Sequence, residues 1–437
     1  MSKKPALNVC QTKANNNLAN WYLDSTEQCA ILQGEAGSGK TFLIKHFLQQ
    51  FSKIRPMLIA ETNEAVSVLL QSTDFMYPAG TVCNVLCLSV SHDKEHKVLK
   101  QYAEPDVSDY NLLIVDEASM LDQFKIDLLL QLQTKILFVG HKSQLPPVDV
   151  NLSQTDKCVS PVFKMDFPTY ELKTIERHGG ELLEFVQSSE RCIYNNDTLD
   201  TSFSSTHTLF NAQLKQEDFV QNIFSGDAVI LAYTNAVVAE YNAKIREAIF
   251  GKQSFEEEYL PSDKILLKSP ALIFTNPLVK LRQLSQVFAK KCKSAQLATN
   301  TKCFILQVNK VELLDIPCYE LIVTTNHWQD DKLSGYLYVP ECEESFKTFC
   351  EKKYKAALYS RGAEADKLWA DYHNITMLFA DARHLYARTI HTAQGSTIPN
   401  VIVDDADINK CKNIFLRKKL RYVAYSRAGK SLQRLLF

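Results

Sequence analysis

Glycine and proline are scarce in this chain, 13 and 14 among 437 residues, which excludes collagen-like repeats and low-complexity designs. Neither sign of charge is in excess: 49 Lys and Arg meet 50 Asp and Glu, a formal net charge of −1. Global charge therefore advertises no nucleic-acid partner, and a track for a polyanion must come from local placement of Lys and Arg. No uncharged apolar run reaches the ~18 residues that a membrane helix needs. The start, Met1-Ser2-Lys3-Lys4-Pro5, leads into a polar Asn-rich stretch and not into the apolar core of a signal peptide. The twelve cysteines are scattered and form no Cys-x-x-Cys. Cys83 and Cys87, a near pair, lack His or Cys partners at zinc spacing, so the cysteines read as reduced apolar fillers. These absences predict a cytoplasmic protein without a membrane segment.

Apolar material is ample at 46%, and the length suits about three domains. Short, fully apolar runs at 29–32, 57–60, 112–115 and 136–139 alternate with helical patterns such as Lys40–Phe51. That alternation predicts strands of a parallel sheet covered on both faces. The same signature returns at 228–232, followed by an amphipathic stretch Val237–Phe250, and at 401–403. A second parallel-sheet lobe is therefore expected, interrupted by a β-rich insertion over 261–385 with a charged helical segment, Glu341–Tyr372. A smaller insertion over 81–107 has alternating flanks, Leu86–Val90 and Lys97–Tyr102, around a charged turn, and reads as a β-hairpin. The expected division is 1–80 with 108–175 for the first lobe and 176–260 with 386–437 for the second.

Gly34-Glu35-Ala36-Gly37-Ser38-Gly39-Lys40-Thr41 fits a P-loop, with an apolar strand entering and a helix leaving. Glycines let backbone N–H groups wrap phosphates at a helix N-terminus. Lys40 supplies a point charge to the β- and γ-phosphates, and the Thr41 hydroxyl can ligate Mg²⁺. Asp116 and Glu117 follow the strand run 112–115, at the carboxyl edge where open α/β sheets bind ligands. Asp116 suits the Mg²⁺ shell and Glu117 the polarising of an attacking water. Gln144 follows the next strand, on the Pro-stiffened loop Gly140-His141-Lys142-Ser143-Gln144-Leu145-Pro146-Pro147-Val148, and suits a sensor of the γ-phosphate. The expected small-molecule partners are ATP and Mg²⁺.

These motifs, followed by Thr389-Ile390-His391-Thr392-Ala393-Gln394-Gly395 and Tyr422-Val423-Ala424-Tyr425-Ser426-Arg427, resemble a superfamily 1 helicase. The likeness is to the RecD-like branch and, within it, to phage Dda-type DNA helicases, from Leu7 onward. It implies an α/β protein of two RecA-like P-loop lobes with a hairpin pin and a small SH3-like barrel. It also implies ATP-driven 5′-to-3′ movement on single-stranded DNA by a monomer, at a duplex fork, with a single-strand-binding protein as a further partner. By resemblance Gln11 reads adenine, Arg177 and Arg427 reach the γ-phosphate, and Gly395 belongs to the loop that couples nucleotide to DNA. Thr62, Asn63, Thr81, Asn84, Tyr233, Asn235 and His391 would line the DNA track, and Val98 and Leu99 would form an aliphatic wedge on the pin. By their own chemistry Asn63 and Asn235 equally suit helix N-caps. The basic runs Lys290–Lys293 and Arg417–Arg421 suit solvated faces or a positive funnel. His141 departs from the family pattern, which has an acid there, and Glu61 stands where a proline is usual. Two rival readings remain open at this point: a viral-type RNA helicase and a catalytically weak helicase-fold scaffold.

Overall fold

The computed structural model describes residues 6–93, 96–147, 158–176, 180–195, 206–209, 221, 223–225, 228–278, 294–297, 301–326 and 332–435. Two compact units divide the chain: Met1–Tyr241 with Ala387–Phe437, and Asn242–Tyr386. The second unit therefore starts inside the helix Asn235–Phe250 and not at residue 261.

In chain order the first strands are β1 (Cys29–Gly34), β2 (Pro56–Ala60), β3 (Ala79–Thr81), β4 (Leu88–Asp93), β5 (His96–Gln101), β6 (Leu112–Asp116), β7 (Lys135–Gly140) and β8 (Thr169–Leu172). All but β4 and β5 join one parallel sheet in the order β3-β2-β6-β7-β1-β8. The four-residue apolar runs arise because this sheet is covered on both faces. On β1, Ala30 and Leu32 enter the core beneath the helices Val9–Asp24, Lys40–Gln50 and Asn63–Ser72, whereas Cys29 and Ile31 enter the opposite core. β4 and β5 form the expected antiparallel hairpin, with Val90 opposite Leu99 and Asp93 opposite His96.

The second lobe holds β9 (Thr206–Leu209) and β10 (Ala228–Ala232). The insertion then contributes β11 (Lys264–Leu267), β12 (Ala271–Phe274), β13 (Ser294–Leu297), β14 (Lys302–Leu313), β15 (Ile316–Asn326), β16 (Lys332–Pro340) and β17 (Ala382–His384). The lobe resumes with β18 (Ala387–Thr389), β19 (Ile398–Asp404) and β20 (Ala428–Leu435). The lobe's sheet is parallel, ordered β18-β10-β19-β20-β9, and its core packs the helices Gly180–Tyr194 and Ile414–Tyr425 on Leu231, Val401, Val403 and Leu432.

The insertion is a seven-stranded antiparallel sheet in the order β13-β12-β16-β15-β14-β11-β17. Its helical segment is not one run to Tyr372. Gly362, at φ 63°, breaks it into Glu343–Tyr359 and Ala363–Leu378, because only glycine adopts that backbone cheaply. No helix among the described residues is long and apolar enough to cross a membrane.

The basic run 417–421 is not a solvated face. Lys419 is completely buried, and Arg421 reaches Asp405 at 3.2 Å. Asp405, itself buried, also accepts from Arg434 (2.6 Å) and the Tyr425 hydroxyl (2.7 Å). Removing one member of such a set strands the others without water. Asp405→Ala should therefore lower unfolding stability by about 3–5 kcal/mol. A urea midpoint within error of wild type would contradict this packing account.

Candidate nucleotide site and nucleic-acid track

β1 ends at Gly34 and the chain curls into the helix Lys40–Gln50. Gly39 sits at φ 81°, and a Cβ there would stand 2.5 Å from Gln11 Nε2. Lys40 Nζ donates to the carbonyls of Gly34 (2.7 Å) and Glu35 (3.0 Å), which holds the ammonium against the loop. Burial, reinforced by Glu190, pushes the Glu35 carboxyl up to about 7. A cavity of about 380 Å³ opens on this loop. Its wall includes Ala36, Gly37, Gly39, Lys40, Thr41, Asp116, Glu117 and Gln144 from the first lobe and Gly395 and Arg427 from the second.

Asp116 closes β6, where desolvation and then the Glu117 charge push its carboxyl up to about 7. Glu117 stands at φ 53°, a left-handed conformation unusual for a side chain of this size and common where function demands it. Its Oε2 accepts from Gln144 Nε2 (2.8 Å) and from Gln394 Nε2 (2.9 Å). The two amide oxygens, Gln144 Oε1 and Gln394 Oε1, are buried without a hydrogen-bond partner. Buried acceptors beside a carboxylate fit a water that donates both its protons. The wall thus offers a phosphate cradle, a carboxylate pair suited to a divalent ion and water, and a guanidinium. These residues fit a nucleoside triphosphate with Mg²⁺, Thr41 and Asp116 being the groups placed to hold the ion.

Arg427 lies beyond the helix Ile414–Tyr425, which Ser426 ends, and is 2% exposed. Its guanidinium donates to the carbonyls of Val423 (3.0 Å) and Ser396 (3.3 Å) and to Ser426 Oγ (2.9 Å). Arg177 and Val148 lie outside the described residues, as do Lys290–Lys293. Gln11 is buried and does not line the cavity. Its Oε1 accepts from Asn8 N (3.1 Å) in a capping box, and its Nε2 donates to Ser38 O (3.3 Å). Gln11 therefore ties the first helix to the P-loop.

The candidate track residues repeat one local motif. Thr62 after β2, Thr81 ending β3, Thr234 after β10 and Thr389 ending β18 each offer Oγ1 to a helix N–H, from Ala65, Asn84, Val237 and Thr392 respectively. The threonines are the caps, which corrects the alternative of Asn63 and Asn235 as caps; both asparagines are the first residues of their helices. Asp407, which the sequence did not single out, fixes the second-lobe corner by accepting from Tyr233 N (2.8 Å) and Thr234 N (2.7 Å). Tyr233 and His391 present neighbouring rings, with centroids 6.3 Å apart.

The wedge assignment changes on the hairpin. Leu99 packs against the first-lobe core, several residues from the turn, so it anchors the hairpin's base and does not tip it. The Val98 side chain is outside the described residues. Glu61, in place of the usual proline, is a half-buried ion-pair partner of the buried Lys125. His141 is 5% exposed, and burial, reinforced by Lys40, Lys142 and Lys419, brings its pKa down to about 3.

Two family models match the chain, an AAA domain over residues 19–149 and a UvrD-like helicase C-terminal domain over residues 384–432. The ATP-dependent DNA helicase dda of Enterobacteria phage T4 is 23% identical over 419 residues, 91% of this chain and 92% of its own. Among solved structures, Pif1 helicases at forked double-stranded DNA share the fold at a TM-score of 0.53 and 14% identity, over 99% of this chain and 93% of theirs. Pif1 from Bacteroides in complex with ADP-AlF3 and ssDNA does so at 0.51 and 14%, with the same coverage. Two parallel-sheet lobes, the first with a P-loop at its carboxyl edge, make the chain similar to superfamily 1 helicases of the Dda/Pif1 type.

The depressed His141 pKa has a signed consequence. Between about 6.5 and 3 the unfolded chain binds the proton that the folded one refuses, so stability falls as pH falls through that window. Exchanging His141→Asn should flatten the loss of stability between pH 7 and pH 5 relative to wild type. Parallel urea-midpoint curves for the two proteins would show that His141 titrates normally.

Proposed function

We propose that the chain is an ATP-dependent DNA helicase that moves 5′-to-3′ on single-stranded DNA and parts the duplex ahead of it. The observation that carries this reading is the Glu117 carboxylate, gripped by one amide from each lobe inside the P-loop cavity. In the proposed cycle Lys40 neutralises the triphosphate and Glu117 orients and deprotonates the attacking water, while Gln144 and Gln394 hold Glu117 in place. Arg427, with Arg177, stabilises charge on the transferring phosphoryl group. Mg²⁺ held by Thr41 and Asp116 would supply Lewis-acid stabilisation of the phosphate oxygens. The rest of the cradle, Gly34 to Gly39, offers backbone N–H groups to phosphate.

The threonine-capped corners, with Asn63, Asn84, Tyr233, Asn235 and His391, would meet the strand through phosphate contacts and one aromatic face. Closing of the lobes on ATP and their release after hydrolysis would alternate the grip between corners of the first and second lobes. The working form is a monomer at a fork, and a single-strand-binding protein is a compatible further partner.

Lys40→Ala should keep the fold and lower ATP turnover by about 10²–10³-fold. Arg427→Ala should depress kcat far more than it raises the ATP KM, because a transition-state contact is lost. Near-normal turnover in Lys40→Ala would sink the P-loop assignment, and an Arg427→Ala effect confined to melting temperature would make that arginine structural. Stimulation by poly-U but not poly-dT would move the substrate from DNA to RNA.

The hairpin yields a separate test, because Leu88 is buried in the first-lobe core and Leu99 packs against it. A Gly-Ser replacement of residues 92–97 should spare stimulation of ATPase by single strands and cripple unwinding of 5′-tailed duplexes. Equal loss of both activities would make the hairpin a grip element, and unwinding from 3′ tails alone would overturn the polarity.

A further inference from the structure

Lys419 is completely buried on the second-lobe helix Ile414–Tyr425. A buried ammonium is costly unless its protons are taken up, and it has three. Here three backbone carbonyls accept them: Lys142 O, Gln144 O (3.2 Å) and Cys158 O (2.7 Å). The first two belong to the loop that aims the Gln144 side chain at Glu117. The third belongs to Cys158, so one ammonium joins the loop after β7 to a distant point of the first lobe. On the same helix the Tyr422 hydroxyl accepts from Ala36 N of the P-loop (3.1 Å), and the helix leads into Arg427.

We propose that Lys419 is a positioning residue, through which the second lobe sets the backbone of Gln144 and thereby the orientation of the Glu117 carboxylate. This rests on the helicase reading above. A shift of the helix relative to the first-lobe sheet is carried to Gln144 by main-chain contacts. It does not have to pass through bound nucleotide. Lys419 touches no reacting group, so its loss acts on turnover and not on capture of ATP.

The test is Lys419→Met, which keeps length and apolar volume and deletes the charge. Single-strand-stimulated kcat should fall by about tenfold or more while the ATP KM stays within about twofold. In a Gln144→Ala background the same substitution should cost little further, since residues acting as a unit are not additive. An unchanged kcat, or losses that multiply in the double variant, overturns the proposal.

Lys419→Arg, which retains a cation able to meet carbonyls, covers the case in which Lys419→Met does not fold. It should recover part of kcat at an unchanged KM, and a raised KM with normal kcat counts against the assignment. A wild-type protein whose ATP turnover matches that of Lys40→Ala would defeat the helicase reading itself. Lys419 is then judged on amide exchange across 140–147, where acceleration in Lys419→Met supports the clamp and unchanged exchange removes it.

Discussion

One carboxylate oxygen carries the geometry of this molecule. Glu117 Oε2 accepts from Gln144 of the first lobe and Gln394 of the second, and both glutamines are buried. Two amide donors converging on one carboxylate oxygen form a directional joint. The joint constrains everything near it. Glu117 takes a left-handed backbone at the end of β6, Gly395 beside it holds φ 85°, a backbone glycine adopts cheaply, and Ser119 Oγ lies 3.3 Å from the Gln394 amide. A side chain on Gly395 would stand 3.5 Å from Glu117 Oε1 and 3.7 Å from the Ala65 side chain of the first-lobe helix that begins at Asn63.

A single turn of helix separates that joint from the Thr389 cap. The helix Ile390–Ala393 begins at the Thr389 cap, carries His391 toward Tyr233, and gives way directly to Gln394. A change at the cap therefore reaches the Glu117 joint with no long relay. The first lobe mirrors this arrangement, with the Thr62-capped helix bringing Ala65 next to Gly395. On the proposed function, coupling between strand and nucleotide would run through these two Thr-capped corners, which approach each other at Ala65 and Gly395. The physical warrant is the pair of contacts that both lobes make to one group.

What was legible in the sequence follows from how local each signal is. The parallel strands announced themselves because residues such as Ala30, Ile31 and Leu32 are buried on alternating faces, which demands unbroken apolar runs. The P-loop and Asp116-Glu117 were legible because their chemistry depends on neighbours in the chain. Gln394's grip on Glu117 links residues 277 apart, and spacing along the chain carries no trace of it. Lys419 misled for a related reason: in a run of basic residues it looks solvated, and only the fold shows the three carbonyls that make burial tolerable. Leu99 read as a free wedge because strand alternation does not say which face of a hairpin base meets the core.

On the proposed function the lobes talk through Glu117, and Gln394 is the second lobe's half of that contact. The most direct measurement is steady-state ATP turnover of Gln394→Ala with and without single-stranded DNA. Turnover without DNA should be largely retained, through Gln144, while stimulation by DNA collapses. Full stimulation in Gln394→Ala would contradict it, since the lobes would then be coupled without the shared carboxylate.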